Sequence, residues 1–112
     1  DSLKDDYEKY RISAQLIDVL DYAMEHCAGE SVWIISADYG TRLWGNGISN
    51  FYTPEPPSED AGEILTYMTE NGLNLFVAVK EEASYERWAE VFETCPVVYE
   101  NDGAVLFRKQ YI

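Results

Sequence analysis

Chemically versatile side chains crowd one short stretch of this chain. Asp38, Tyr39, Gly40, Arg42 and Trp44 lie within SADYGTRLWG, and Lys80, Glu81 and Glu82 form a second group after a later apolar run. Two chemistries suit these residue types. Asp38 with Glu81 or Glu82 could make a carboxylate pair for acid–base work or for holding a cation. Tyr39 and Trp44, apolar rings with polar tips, could stack on a sugar ring at a wet surface. The structural alternative is that the two aromatic rings cover a sheet edge while Asp38 accepts backbone hydrogen bonds or pairs with Arg42. Because the chain carries 21 carboxylates in 112 residues, chance acidic neighbours are expected, and the pair alone defines no enzyme.

Other chemistries lack their residues. Gly40, Gly45 and Gly47 do not spell a dinucleotide or P-loop fingerprint, so no phosphate cradle is expected. There is no G-x-S-x-G elbow. His26, the single histidine, falls near a predicted helix C-terminus, where the helix dipole favours its charged form. A His-based triad is hard to build from that one candidate. Cys27 and Cys95 have the wrong spacing for a metal site, and neither a metal nor a cofactor is expected. Each cysteine closes a predicted helix just before a strand. They read either as two buried free thiols or as a disulfide, which would close a long loop and contribute roughly 4 kcal/mol on the chain-entropy model.

The elements that must position these residues follow from periodicity. Residues 5–27 predict an amphipathic helix, with Ile12, Leu16, Val19, Leu20, Ala23 and Cys27 on one face and Gly29 as its stop. Val32-Trp33-Ile34-Ile35 is apolar without alternation, the pattern of a strand covered on both faces. A short strand is expected near residues 42–44, before Pro54, Pro56 and Pro57 break regular structure. Ser58 is the expected N-cap of a second helix with Ala61, Ile64, Leu65 and Met68 inward, stopped at Asn71-Gly72. Residues 73–79 predict a second long strand, parallel to the first because a helical crossover joins them. A third helix spans 84–94, with Tyr85, Trp88, Ala89 and Phe92 as its apolar stripe. Asp102-Gly103 between two apolar runs predicts a terminal β-hairpin. The expected fold class is therefore α/β: a small layered sandwich with a mixed, mainly parallel sheet, three main helices and a C-terminal β-hairpin. In such folds ligands meet the carboxyl ends of parallel strands, which is where both groups of candidate residues fall.

Composition narrows the partners. Residues 1–112 read as one domain, and 46% hydrophobic content argues against disorder. A net charge of -13 repels phosphate backbones and anionic lipid headgroups, so no nucleic acid partner is expected. No apolar run approaches the ~20 residues needed to cross a bilayer, so the chain itself is not expected to insert in a membrane. It begins at Asp1 without a signal peptide or an initiator Met, and is expected to be a fragment of a larger protein.

Ser36-Ala37-Asp38-Tyr39-Gly40 resembles the WWDYG motif of oligosaccharyltransferase catalytic subunits, with Ser36 and Ala37 in place of the two tryptophans. Arg42-Leu43-Trp44-Gly45-Asn46 is similar to the loop and short strand after that motif. More broadly, a leading helix, an apolar strand ending in Asp and a hairpin over residues 97–107 look like the soluble extracytoplasmic domains at the C-terminus of multi-pass, GT-C-type membrane glycosyltransferases. That resemblance implies an accessory domain of a larger membrane protein, inactive alone because the family's catalytic carboxylates lie largely in the membrane part. Asp38, Tyr39 and Gly40 would face a glycan or peptide acceptor, and the partner would be the membrane-embedded part of the same chain. The alternatives are a free-standing, cytoplasmic α/β module for protein interaction or small-ligand binding, and a small independent enzyme using Asp38 with Glu81 or Glu82.

Overall fold

Helix α1 (Ala14–His26) lays Leu16, Ile17, Val19, Leu20 and Ala23 against one face of a five-stranded sheet. The computed structural model describes residues 14–27, 29–36, 50–80, 85–86 and 89–109. After α1 come β1 (Val32–Ser36), β2 (Phe51–Tyr52), α2 (Ala61–Glu70), β3 (Leu75–Val79), α3 (Ala89–Glu93), β4 (Val97–Glu100) and β5 (Ala104–Arg108). The sheet order is β2-β1-β3-β5-β4. Strands β2, β1 and β3 are parallel neighbours, whereas β5 runs antiparallel to both β3 and β4. The hairpin thus inserts its second strand beside β3 and leaves β4 at the edge.

Strand alternation divides the core into two layers. Val32 and Ile34 of β1, Leu75 and Val77 of β3, and Ala104 and Leu106 of β5 face α1. Trp33 and Ile35, Phe76 and Ala78, and Val105 and Phe107 face α2 and α3. Residues 32–35 are all fully buried, as expected for a strand sandwiched between helices. Phe76, Phe92 and Phe107 stack in the second layer, with centroids 5.1–5.9 Å apart.

Local chemistry explains the boundaries of α2, with one correction to the expected cap. Asp60, not Ser58, is the N-cap: its Oδ1 accepts from the Glu63 N–H at 3.0 Å. Ser58 acts a step earlier, accepting from the Asp60 N–H at 3.0 Å. At the other end Leu73 N–H donates to the Met68 carbonyl at 2.8 Å and Gly72 N–H to the Thr69 carbonyl at 3.3 Å. That Schellman pair needs a left-handed residue, and Gly72 has φ +66°. In α3 the buried residues are Val91 and Phe92 and Ala89 is half-buried, as is Tyr85 ahead of the helix. Val91 thus joins the buried face in addition to the expected stripe. Ile12, Trp88 and the short strand expected near residues 42–44 fall outside the described residues.

Cys27 and Cys95 are both buried and free. They belong to the two different core layers, so the sheet separates them. The disulfide reading needs one shared edge; each cysteine does come after a helix, but the helices pack on opposite faces.

Candidate functional site

Ser36 at the end of β1 stands opposite Ala78 of β3. The two parallel strands therefore finish side by side, where open α/β sheets take ligands. The register shifts between Ile34 and Ser36, an irregularity at the end of the β1–β3 pairing. The chain continues from β1 into the segment holding Asp38, Tyr39, Gly40, Arg42 and Trp44, and from β3 into Lys80, Glu81 and Glu82. Of these candidates only Lys80 is among the described residues.

Lys80 is engaged with the hairpin. Its Nζ donates to the Asn101 carbonyl at 2.8 Å and lies 2.6 Å from Glu100 Oε2. Its backbone N–H donates to the Gly103 carbonyl at 2.9 Å. Since β5 and β1 flank β3 on opposite sides, these bonds draw Lys80 away from the end of β1. The lysine ties the end of β3 to the β4–β5 turn.

That turn is organised by Asn101, whose place before Asp102-Gly103 suits a turn but whose reach to α1 has no signal in the local sequence. Asn101 Oδ1 accepts from the Gly103 and Ala104 N–H groups at 3.0 and 2.9 Å. Its Nδ2 donates to the Gln15 carbonyl at 2.9 Å and to Asp18 Oδ2 at 3.1 Å. Tyr99 Oη donates to the same Asp18 oxygen at 2.8 Å, and its ring stacks on Tyr22 at 4.2 Å. The hairpin is thus fastened to α1 by a polar hub beside an aromatic pair. His26 continues this row, 4.3 Å from Tyr22 at the last turn of α1.

A second aromatic group lies beside β2. Trp33 is fully buried and donates from Nε1 to the Pro54 carbonyl at 2.8 Å. Tyr67 packs on it at 5.2 Å, and the Tyr52 and Tyr67 hydroxyls hydrogen-bond to each other. That bond, with burial, pushes the Tyr67 pKa up to about 12. Burial pushes the Cys27 thiol up, the Glu30 charge adds to the effect, and Arg108 opposes it. The Asp18 hydrogen bond raises Tyr99. Each group is held in its neutral form, the reverse of what an activated nucleophile needs.

Glu30 moves the other way. Arg108 grips it with Nη1–Oε1 at 3.0 Å and Nη2–Oε2 at 3.2 Å, lowering its pKa chiefly through that hydrogen bonding. Because the folded pKa is depressed, the pair's contribution is present above the unfolded glutamate value and is lost as pH falls through the folded one. Partly exposed pairs contribute about 0–1 kcal/mol, so the effect is small. Denaturant titrations across the acid range should give a shallower loss of stability for Glu30→Gln than for the parent; equal slopes would remove the pair from the acid response.

Among the described residues no group of three or more His, Cys, Asp or Glu side chains could hold a metal ion. No described helix is long and apolar enough to cross a membrane. No family model, no curated protein and no solved structure matches this chain.

Proposed function

We propose that this chain is an accessory binding domain of a membrane glycosyltransferase-like protein, and that residues 37–45 form a surface for a glycan or peptide acceptor. The observation carrying this reading is the parallel pairing of β1 with β3, which brings two strand ends together at the ligand-taking edge of the sheet. The register shift at the end of β1 supports it, since such irregularities often re-aim side chains beside a site. The acceptor class and the extracytoplasmic setting come from the likeness of residues 36–46 to the WWDYG region. In this reading Asp38 accepts hydrogen bonds from acceptor hydroxyl or amide groups, and Tyr39 and Trp44 offer ring faces. Catalysis belongs to the membrane-embedded part of the parent chain.

Calorimetric titration with a panel of oligosaccharides and short hydroxyl-bearing peptides tests the reading. At least one ligand is expected to bind, and Trp44→Ala or Asp38→Asn is expected to weaken it about tenfold, the equivalent of about 1.4 kcal/mol. No binding across the panel, or affinity indifferent to both substitutions, would overturn it.

A further inference from the structure

We infer that Asn71-Gly72, at the C-terminus of α2, is a site of spontaneous deamidation that the helix cap holds closed, and that the conversion loosens that cap irreversibly. The inference stands apart from whatever residues 37–45 bind.

The residue types set the chemistry. An asparagine before glycine cyclises readily, because glycine has no side chain to hinder attack by its backbone nitrogen. The Gly72 amide nitrogen gives its proton to solvent base and bonds to Asn71 Cγ. The Cγ–Nδ2 bond breaks, and the side-chain amide leaves with a proton as ammonia. The five-membered imide then adds water at either carbonyl. One opening gives aspartate. The other gives isoaspartate, in which the main chain runs through the former side chain. Water is the one co-reactant. Asn74 and Asn101 lack the glycine, being followed by Leu75 and Asp102. Asn46-Gly47 has it and lies outside the described residues.

Asn71 and Gly72 are both exposed, so burial keeps neither water nor base away. The cap restrains the reaction by geometry instead. Ring closure needs the Gly72 nitrogen eclipsed with Asn71 Cβ about the Cα–C bond. At ψ 7° that nitrogen nearly eclipses Asn71's own nitrogen and is swung far from Cβ. Both groups that must move are also bonded. Gly72 N–H donates to the Thr69 carbonyl at 3.3 Å, and Asn71 Nδ2 donates to the Tyr67 carbonyl at 2.8 Å. The Leu73 N–H to Met68 carbonyl bond closes the motif, and both side chains lie in one buried cluster. Cyclisation therefore waits for the cap to open. Its rate in the folded protein is the unfolded-chain rate scaled by the fraction of time the cap is open.

Either product weakens the cap it came from. Aspartate has no Nδ2 donor for the Tyr67 carbonyl, and it puts a negative charge at the helix end where the dipole is already negative. Isoaspartate lengthens the main chain between residues 71 and 72, which breaks the spacing of the Gly72–Thr69 and Leu73–Met68 bonds. The carbonyl released belongs to Tyr67, whose ring packs on Trp33, so the loosened turn adjoins the core.

The test incubates the full chain at mildly alkaline pH, folded and in concentrated urea. Fragment mass spectrometry locates the converted residues, so that Asn71 is counted apart from Asn46. Conversion at Asn71 is expected in urea and should be about tenfold or more slower in the folded protein. The slowing should match the hydrogen-exchange protection of the Gly72 amide, since one opening governs both. Leu73→Ala keeps Asn71-Gly72 and removes the buried contact of the cap. It is expected to speed conversion in the folded protein about tenfold and to leave the rate in urea unchanged. The parent protein carries the test by itself where that variant does not fold. Asn71→Asp is expected to lower the protection of the Gly72 and Leu73 amides several-fold. Each of these results would overturn the inference: no conversion in urea, equal rates folded and in urea, slowing unlike the Gly72 amide's protection, indifference of a folded Leu73→Ala, or unchanged amide protection in Asn71→Asp.

Discussion

Trp33→Ala is expected to be among the most damaging single substitutions in this domain, costing about 3–5 kcal/mol. Trp33 is the first of the large side chains that are fully buried, and its indole N–H satisfies the Pro54 carbonyl at 2.8 Å. Truncation would leave a cavity under Tyr52 and Tyr67 and take the donor away from that carbonyl. At about 4 °C per kcal/mol for a domain near this size, the melting temperature should fall by roughly 10–20 °C. Trp33→Phe fills most of the space and loses the hydrogen bond, so it should cost clearly less than Trp33→Ala. Urea titrations of the two variants check the order; equal midpoints would mean that the volume under the tyrosine pair is not what Trp33 contributes.

Gly103→Ala should cost about 1–3 kcal/mol, in the range of overpacked sites. A Cβ on Gly103 would lie 2.7 Å from Gln15 Cβ and 2.9 Å from its Cγ. The first of these atoms is fixed to helix α1, so rotation of the glutamine side chain cannot relieve the contact. Gln15→Ala therefore should not rescue Gly103→Ala. Gln15→Gly should rescue it in part, although it costs about 1 kcal/mol in helix propensity on its own. A double-mutant cycle over Gly103→Ala and Gln15→Gly reads this as coupling; strict additivity would show that the hairpin does not close on α1 as described.

Gly103 also marks how far a sequence can be read. Asp102-Gly103 points correctly to a hairpin because glycine comes after a turn-forming residue between two apolar runs. The reason differs from the usual one. The positive-φ glycines among the described residues are Gly29 and Gly72, so Gly103 is required by the approach of α1. Closeness between residues 15 and 103 is a tertiary fact with no local signature. The same holds for Asn101, whose bonds reach Gln15 and Asp18 far back in the chain. The strands are more legible. Residues 32–35 and 75–78 show unbroken apolar runs because both of their faces are covered, and the helix between them dictates parallel pairing. The α2 cap falls two residues beyond its expected place because Ser58 and Asp60 are both good acceptors, and only backbone geometry chooses between them.

The candidate site is read from the sequence as two segments that leave β1 and β3, and of its residues the structure describes Lys80. Lys80 groups with Asp38 in the sequence because both come after parallel strands. That grouping ignores the strand on the other flank of β3, where Glu100 and Asn101 claim the ammonium group. Strand order, which decides the neighbour on each side, is not encoded in any short window. Removing Lys80 from the acceptor surface narrows the proposal to residues 37–45 with Glu81 and Glu82.

The most direct measurement is an NMR map of backbone amide shifts, using the isotope-labelled domain titrated with the oligosaccharide and hydroxyl-bearing peptide panel. The proposal predicts contiguous, saturable shifts over residues 37–45, extending to residues 81–82, with β4 and β5 unmoved. Shifts that avoid residues 37–45, or none at saturating ligand, would contradict the claim that the carboxyl edge of β1 and β3 is the binding surface.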